Sequence, residues 1–134
     1  MDASKVSILI IDNEREFSFF VKATLELRGN YDIRTIPDGY NGLILAAKER
    51  PDIIMLDILM PSMNGFQILG KLKAMRETRD IPVIISSAIF DQESIDEAKR
   101  LGAAAYLVKP YAIKELIDAI EGASSAGGPD DDAL

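Results

Sequence analysis

The 134 residues fit one domain of ordinary size, 48% apolar and 28% charged, the balance of a soluble globular chain. A net charge of −7 argues against a nucleic-acid surface, which needs a basic stripe, and no apolar stretch approaches the roughly 20 residues of a membrane span. The chain has neither cysteine nor histidine, so disulfides, thiolates and imidazole are excluded. Any chemistry must run on carboxylates, hydroxyls, amines and a hard cation. Met1 to Ser7 lacks the apolar core of a secretory signal, and a cytoplasmic setting is the expectation.

The first apolar run, Val6 to Ile11, reads as a strand ending at Asp12. A helix follows from Glu14 to Arg28, its inward face expected from Phe17, Phe20, Val21, Thr24, Leu25 and Leu27. Gly29 and Asn30, which tolerate left-handed geometry, stop it. Asp32 to Ile36 alternates polar and apolar, the pattern of a strand with one less buried face. Pro37-Asp38-Gly39 turns the chain, and Asp38 caps a helix to about Arg50.

Pro51 introduces the strand Ile53 to Leu56, which ends at Asp57. Asn64-Gly65 opens a helix carrying Phe66, Ile68, Leu69, Leu72 and Met75. After Pro82 the strand from Val83 ends at Ser87, and Asp91 or Ser94 caps a helix reaching Leu101. Gly102 leads into Ala104 to Val108, which ends at Lys109. The last helix spans Ala112 to about Ala123, with Ile113, Leu116, Ile117 and Ile120 at helical spacing.

Five βα units in one domain predict an α/β fold, a doubly wound (βα)5 three-layer sandwich around a parallel five-stranded sheet. The first, third and fourth runs are almost wholly aliphatic, as central strands should be, whereas the second alternates and the fifth is short and alanine-rich. The flavodoxin-like order 2-1-3-4-5 puts the last two at the edges with short right-handed crossovers. Residues 1–123 form the expected domain. Residues 124–134 lack an apolar pattern and read as a flexible acidic tail or a truncated linker.

Four strands thus end on groups that can do chemistry, at the carboxyl edge where open α/β sheets bind ligands. Asp57 is a candidate nucleophile, since a carboxylate can accept a phosphoryl group; taken alone it reads equally as a cap on local backbone N–H groups. Asp12, Asn13 and Glu14 cluster the oxygens that magnesium prefers, although Asp12 alone would serve as a helix cap. Lys109 can neutralise phosphate as a point charge, though a lone lysine at a strand end is more often solvated. Ser87 can donate to a phosphoryl oxygen or sit in an ordinary turn.

From Val6 to Ala123 the chain resembles the receiver domains of bacterial two-component and phosphorelay response regulators. The resemblance is carried by Asp57-x-x-Met60-Pro61-x-x-x-Gly65, by Ser87-Ala88, by Gly102-Ala103 and by Tyr106-x-x-Lys109-Pro110, in the family's order and spacing. It implies a phosphoacceptor switch, not a turnover enzyme. Asp57 would be phosphorylated from a phosphohistidine on a histidine kinase or histidine phosphotransfer protein, and Ser87 and Lys109 would hold phosphoryl oxygens. Mg2+ would be bound by Asp12, Asn13, Asp57 and the Leu59 backbone carbonyl, with Glu14 as a further ligand. Lys109-Pro110 would be cis, and Tyr106 with Ser87 would form the switch. Output would pass to a protein partner through the last two helices and the strand between them, with no nucleic acid or membrane bound by this domain.

One departure is Asn13, where the family has a second acid; losing a charge there predicts weak magnesium binding. A degenerate receiver that binds partners but phosphorylates poorly is therefore the nearest alternative. Leu59 and Ile89, both apolar, flank the family's path for attacking water and predict slow self-dephosphorylation. A phosphatase of the haloacid dehalogenase type would need an acid where Leu59 stands. A flavodoxin would want a Ser/Thr-rich loop where Asp12-Asn13-Glu14 stands.

Overall fold

The computed structural model describes residues 5–61 and 63–126. Its elements run β1 (Val6–Ile11), α1 (Arg15–Glu26), β2 (Tyr31–Ile36), α2 (Gly39–Glu49), β3 (Ile53–Leu56), α3 (Gly65–Ala74), β4 (Val83–Ser87), α4 (Gln92–Arg100), β5 (Ala105–Val108) and α5 (Ile113–Ala126). The five strands are parallel, in the order β2-β1-β3-β4-β5. This is the doubly wound flavodoxin-like arrangement that the patterning predicts.

Side chains alternate across a strand, so each central strand feeds two cores. Leu9, Ile11, Ile54, Leu56, Val83 and Ile85 pack with Leu43 of α2, Ile68 and Leu72 of α3 and Ala98 of α4. Ile8, Ile10, Ile53, Met55 and Ile84 pack with Val21 and Leu25 of α1 and Leu116 and Ile120 of α5. Every residue of β3 and β4 is buried, whereas β2 is buried at one position and β5 is half-buried throughout. The edge assignment therefore follows from the strands' own composition. Each fully buried aliphatic side chain contributes roughly 1.5–3 kcal/mol.

Caps fall where short polar side chains precede apolar periodicity. Asp38 accepts from the Asn41 N–H at 3.1 Å, and Asp91, rather than Ser94, caps α4 by accepting from the Ser94 N–H at 3.0 Å. Asn64 and Gln67 form a reciprocal capping box at the start of α3.

Two expectations need correction. The buried face of α1 is Ser18, Val21 and Leu25, while Phe20 is 57% and Leu27 88% exposed. With about 100° between successive helical residues, the 18/21/25 stripe faces the sheet, and Phe20 and Leu27 fall roughly 130–150° from its centre, on the solvent side. The last helix also continues to Ala126, three residues beyond the final apolar position at Ala123. Serine and alanine have enough helix propensity to continue a helix past its last apolar position. The remainder of the expected acidic tail, residues 127–134, lies outside the described residues.

Candidate functional site

The strand register brings the four polar ends to one edge. Ile11 pairs with Leu56 and Ser87 with Val108, and the ladder continues one step beyond the strands. The Asp12 N–H donates to the Ile36 carbonyl at 3.1 Å, the Asp57 N–H to the Ile11 carbonyl at 3.1 Å, and the Lys109 N–H to the Ser87 carbonyl at 2.8 Å. Backbone bonds thus fix the residues that carry the functional groups. Asp12, Asp57 and Ser87 are buried, and the Lys109 side chain is only 10% exposed.

Each buried aspartate divides its two oxygens between two tasks. Asp12 Oδ1 accepts from the Glu14 N–H at 2.9 Å, and Asp57 Oδ1 accepts from the Leu59 N–H at 3.0 Å. These are local turn bonds two residues on, and Asp12 does not cap α1, whose N-cap is Glu14 with no side-chain cap bond. The second oxygens meet Lys109 Nζ, at 2.9 Å from Asp12 Oδ2 and 3.1 Å from Asp57 Oδ2. Glu14 adds a third carboxylate, with Oε1 2.5 Å from the same ammonium. Local turn bonding and clustering therefore coexist.

Three carboxylates face one ammonium, with oxygens of Asp12, Glu14 and Asp57 all within 4.8 Å of one another. That surplus of hard anionic oxygen suits a divalent cation of the magnesium class. Burial raises the Asp12 carboxyl above its ordinary pKa, against the opposing pull of the Glu14 N–H and Lys109. Burial alone would lower Lys109. Hydrogen bonds to Glu14 and Asp12 and the charges of Asp12 and Asp57 reverse this and hold the ammonium well above the usual lysine value.

The Asn13 side chain, expected among the metal ligands, is exposed; among the described residues the acidic trio is completed by Glu14. Leu59 is half exposed beside Asp57. Ser87 Oγ accepts from the Ile89 N–H at 3.2 Å, and the Tyr106 hydroxyl donates to the Ile89 carbonyl at 2.7 Å. One residue of the β4–α4 loop therefore links the buried hydroxyl to the aromatic of β5. Lys109-Pro110 is cis.

Sequence reasoning assigned no site role to three residues on the α1/α5 side. The Phe17 ring lies under Lys109, with Nζ 4.2 Å from its centroid. Tyr111 meets Phe17 edge-on, and its hydroxyl pairs with Ser86 Oγ at 2.8 Å. The periodicity offered Phe17 only as a core residue. The one available signal was Tyr111, a polar aromatic two residues after Lys109.

The whole arrangement is that of a known fold and a known family. Residues 8–121 match the family model described as the response regulator receiver domain. The chain belongs to that family. Receiver domains are signalling domains of two-component systems, and membership sets aside the phosphatase and flavin alternatives.

Among relatives, this receiver domain is 36% identical over 110 residues to the DNA-binding dual master transcriptional regulator RpaA of Synechocystis, covering 82% of the present chain and 45% of that protein. The chain spans less than half the length of RpaA and of the algal ycf27 regulators it matches. It spans 90% of the sporulation initiation phosphotransferase F of Bacillus subtilis, at 34% identity over 114 residues and 85% of its own length. Among solved structures, the chemotaxis protein CheY4 of Vibrio cholerae superposes with a TM-score of 0.81 at 27% identity, over 87% of this chain and 97% of that one. The Francisella response regulator 1452 receiver domain gives 0.81 at 29% identity, over 91% and 99%.

Proposed function

We propose that Asp57 is the phosphoacceptor of this switch and that Lys109 and Ser87 handle the arriving phosphoryl group. The observation that carries the reading is the buried Asp57 carboxylate, with one oxygen tied to the Leu59 N–H and the other on Lys109, amid two further acids. A carboxylate oxygen of Asp57 attacks phosphorus and forms a P–O bond as the P–N bond of a phosphohistidine donor breaks. The departing imidazole nitrogen keeps the electron pair and takes a proton from water. Lys109 moves its contact from carboxylates to phosphoryl oxygens, and the Ser87 hydroxyl donates to another. The protein's part is positioning and charge neutralisation.

Asp12, Asp57 and Glu14 would hold a magnesium ion, with Asn13 and the Leu59 carbonyl as neutral oxygen donors. When bound, the ion offsets negative charge on the phosphoryl group and the acids around it. Glu14 supplies part of the charge that Asn13 lacks. The exposure of Asn13 and of Glu14, whose side chain is 59% exposed, favours one second reading, a receiver whose metal corner is weak and whose main work is partner binding.

Tyr106 is the proposed reporter of phosphorylation. If Ser87 is drawn toward the phosphoryl group, the Ser87–Ile89–Tyr106 chain of hydrogen bonds carries the change to α4, β5 and α5, the face offered to a downstream protein. The phosphodonor would be a histidine kinase or a histidine phosphotransfer protein, in the cytoplasm. No helix among the described residues is long and apolar enough to cross a membrane. The test is incubation with magnesium and acetyl phosphate. A mass gain of one phosphoryl group that D57N abolishes supports the switch; no gain in the native chain supports the binding module.

A further inference from the structure

We propose that Phe17 is a positioning residue that holds the Lys109 ammonium against its acids, braced from behind by Tyr111 and Ser86. The inference rests on the phosphoacceptor reading of Asp57 and adds three residues to it.

The Lys109 ammonium has three N–H donors, and Asp12, Glu14 and Asp57 supply three acceptors. Its remaining side does not face water. Phe17 covers it, the ring centroid 4.2 Å from Nζ, and leaves the lysine side chain 10% exposed. A ring face attracts a cation and offers no hydrogen bond, so it neither competes for the donors nor admits the water that would. An aliphatic residue of similar size could exclude water but would lack the attraction.

The ring is fixed from the far side. Tyr111 contacts Phe17 edge to face, with centroids 5.9 Å apart and planes at 81°, a favoured aromatic geometry. The Tyr111 hydroxyl is tied at 2.8 Å to Ser86 Oγ, which is buried in β4 next to Ser87. The backbone bond from Lys109 N–H to the Ser87 carbonyl ties the same two segments a second time. Two cross-links, one of backbone and one of side chains, therefore hold residues 109–111 to the end of β4. The lysine and serine that flank Asp57 are set in one frame, with Phe17 as its wall.

The test compares F17L, which keeps bulk and loses the ring, with F17Y, which restores it. In the native protein the ε-methylene protons of Lys109 should be shifted upfield by the ring current. F17L should abolish that shift and F17Y recover it. With acetyl phosphate and magnesium, F17L should lower the maximal rate of Asp57 phosphorylation by about three- to tenfold with little change in KM, as expected for losing a partly desolvated cation–π contact. F17Y should recover the rate. Y111F and S86A should each lower it less, and Y111F/S86A no further than either alone, because both break one hydrogen bond. F17M replaces F17L if the latter does not fold.

F17L with the native rate and native Lys109 shifts, or additive losses in Y111F/S86A, would overturn the proposal. Absence of phosphorylation in the native chain is a different failure and overturns the phosphoacceptor reading itself.

Discussion

A β-carbon placed on Gly65 would stand 2.3 Å from Cα of Ile58 and 2.6 Å from the carbonyl oxygen of Asp57. The first residue of α3 is pressed against the backbone of the candidate phosphoacceptor, and the Gly65 N–H donates to the Ile58 carbonyl at 2.9 Å. The spacing from Asp57 to Gly65 is thus a packing requirement. Backbone cannot swing aside as a side-chain tip can, so Gly65→Ala must displace the 57–59 segment.

We expect Gly65→Ala to destabilise the domain by roughly 1–3 kcal/mol, in the range of overpacked cores. Because Asp57 moves with that segment, phosphorylation should fall as well. Chemical denaturation and label uptake measure the two effects. Native stability in the variant would show that the segment accommodates a methyl group.

How much of this was visible in the sequence differs from feature to feature. Strand order was legible because Ile53–Leu56 and Val83–Ile85 are aliphatic on both faces while Asp32–Ile36 alternates. The burial of β3, β4 and β2 repeats that difference. The four polar strand ends were legible because parallel register aligns them. Phe20 and Leu27 misled because they are apolar residues on the solvent side of the helix, roughly 130–150° from its buried stripe, where apolar character does not report burial. The three-way contact of Lys109 with Asp12, Glu14 and Asp57 and its seat on Phe17 were not legible. They depend on distances across 52 to 97 residues of chain that no local pattern encodes.

Asn13→Asp should tighten magnesium binding, since it returns a unit charge to the cation corner. At about 4 Å and an effective dielectric near 20 the Coulomb gain is several kcal/mol before desolvation, so a net gain of roughly tenfold or more in affinity is expected. Titration calorimetry on the two proteins reads it directly. Equal affinities would mean that Glu14 already supplies what Asn13 lacks.

The phosphorylated form should be long-lived. Leu59 and Ile89 are apolar neighbours of Asp57 and Ser87, and Ile89 is held in place by bonds from its N–H to Ser87 Oγ and to its carbonyl from Tyr106. L59N and I89N, which offer hydrogen bonds to water, should shorten the half-life of the purified phosphoprotein severalfold. Decay of the native protein as fast as that of the variants contradicts this.

Alkaline pH should weaken the domain through Tyr111. Burial, the largest influence, pushes its phenol from an ordinary 10.0 up to about 12, although the Ser86 bond acts the other way. The unfolded chain therefore gives up this proton first as pH rises. Stability from Tyr111 is complete below pH 10 and is lost as pH climbs toward 12, with roughly 1 kcal/mol gone by about pH 11. Y111F has no such proton, so its stability should fall less between about pH 8 and pH 11. Parallel declines in urea denaturation would show that Tyr111 ionises alike in both states.

The central claim concerns a single bond, the acyl phosphate on Asp57. Borohydride reduces an aspartyl phosphate to homoserine, which peptide mapping then locates in the chain. After treatment with acetyl phosphate and magnesium, homoserine is expected at position 57 and at no other aspartate. Homoserine at position 12, or a phosphoryl group retained by the D57N variant, would contradict the account.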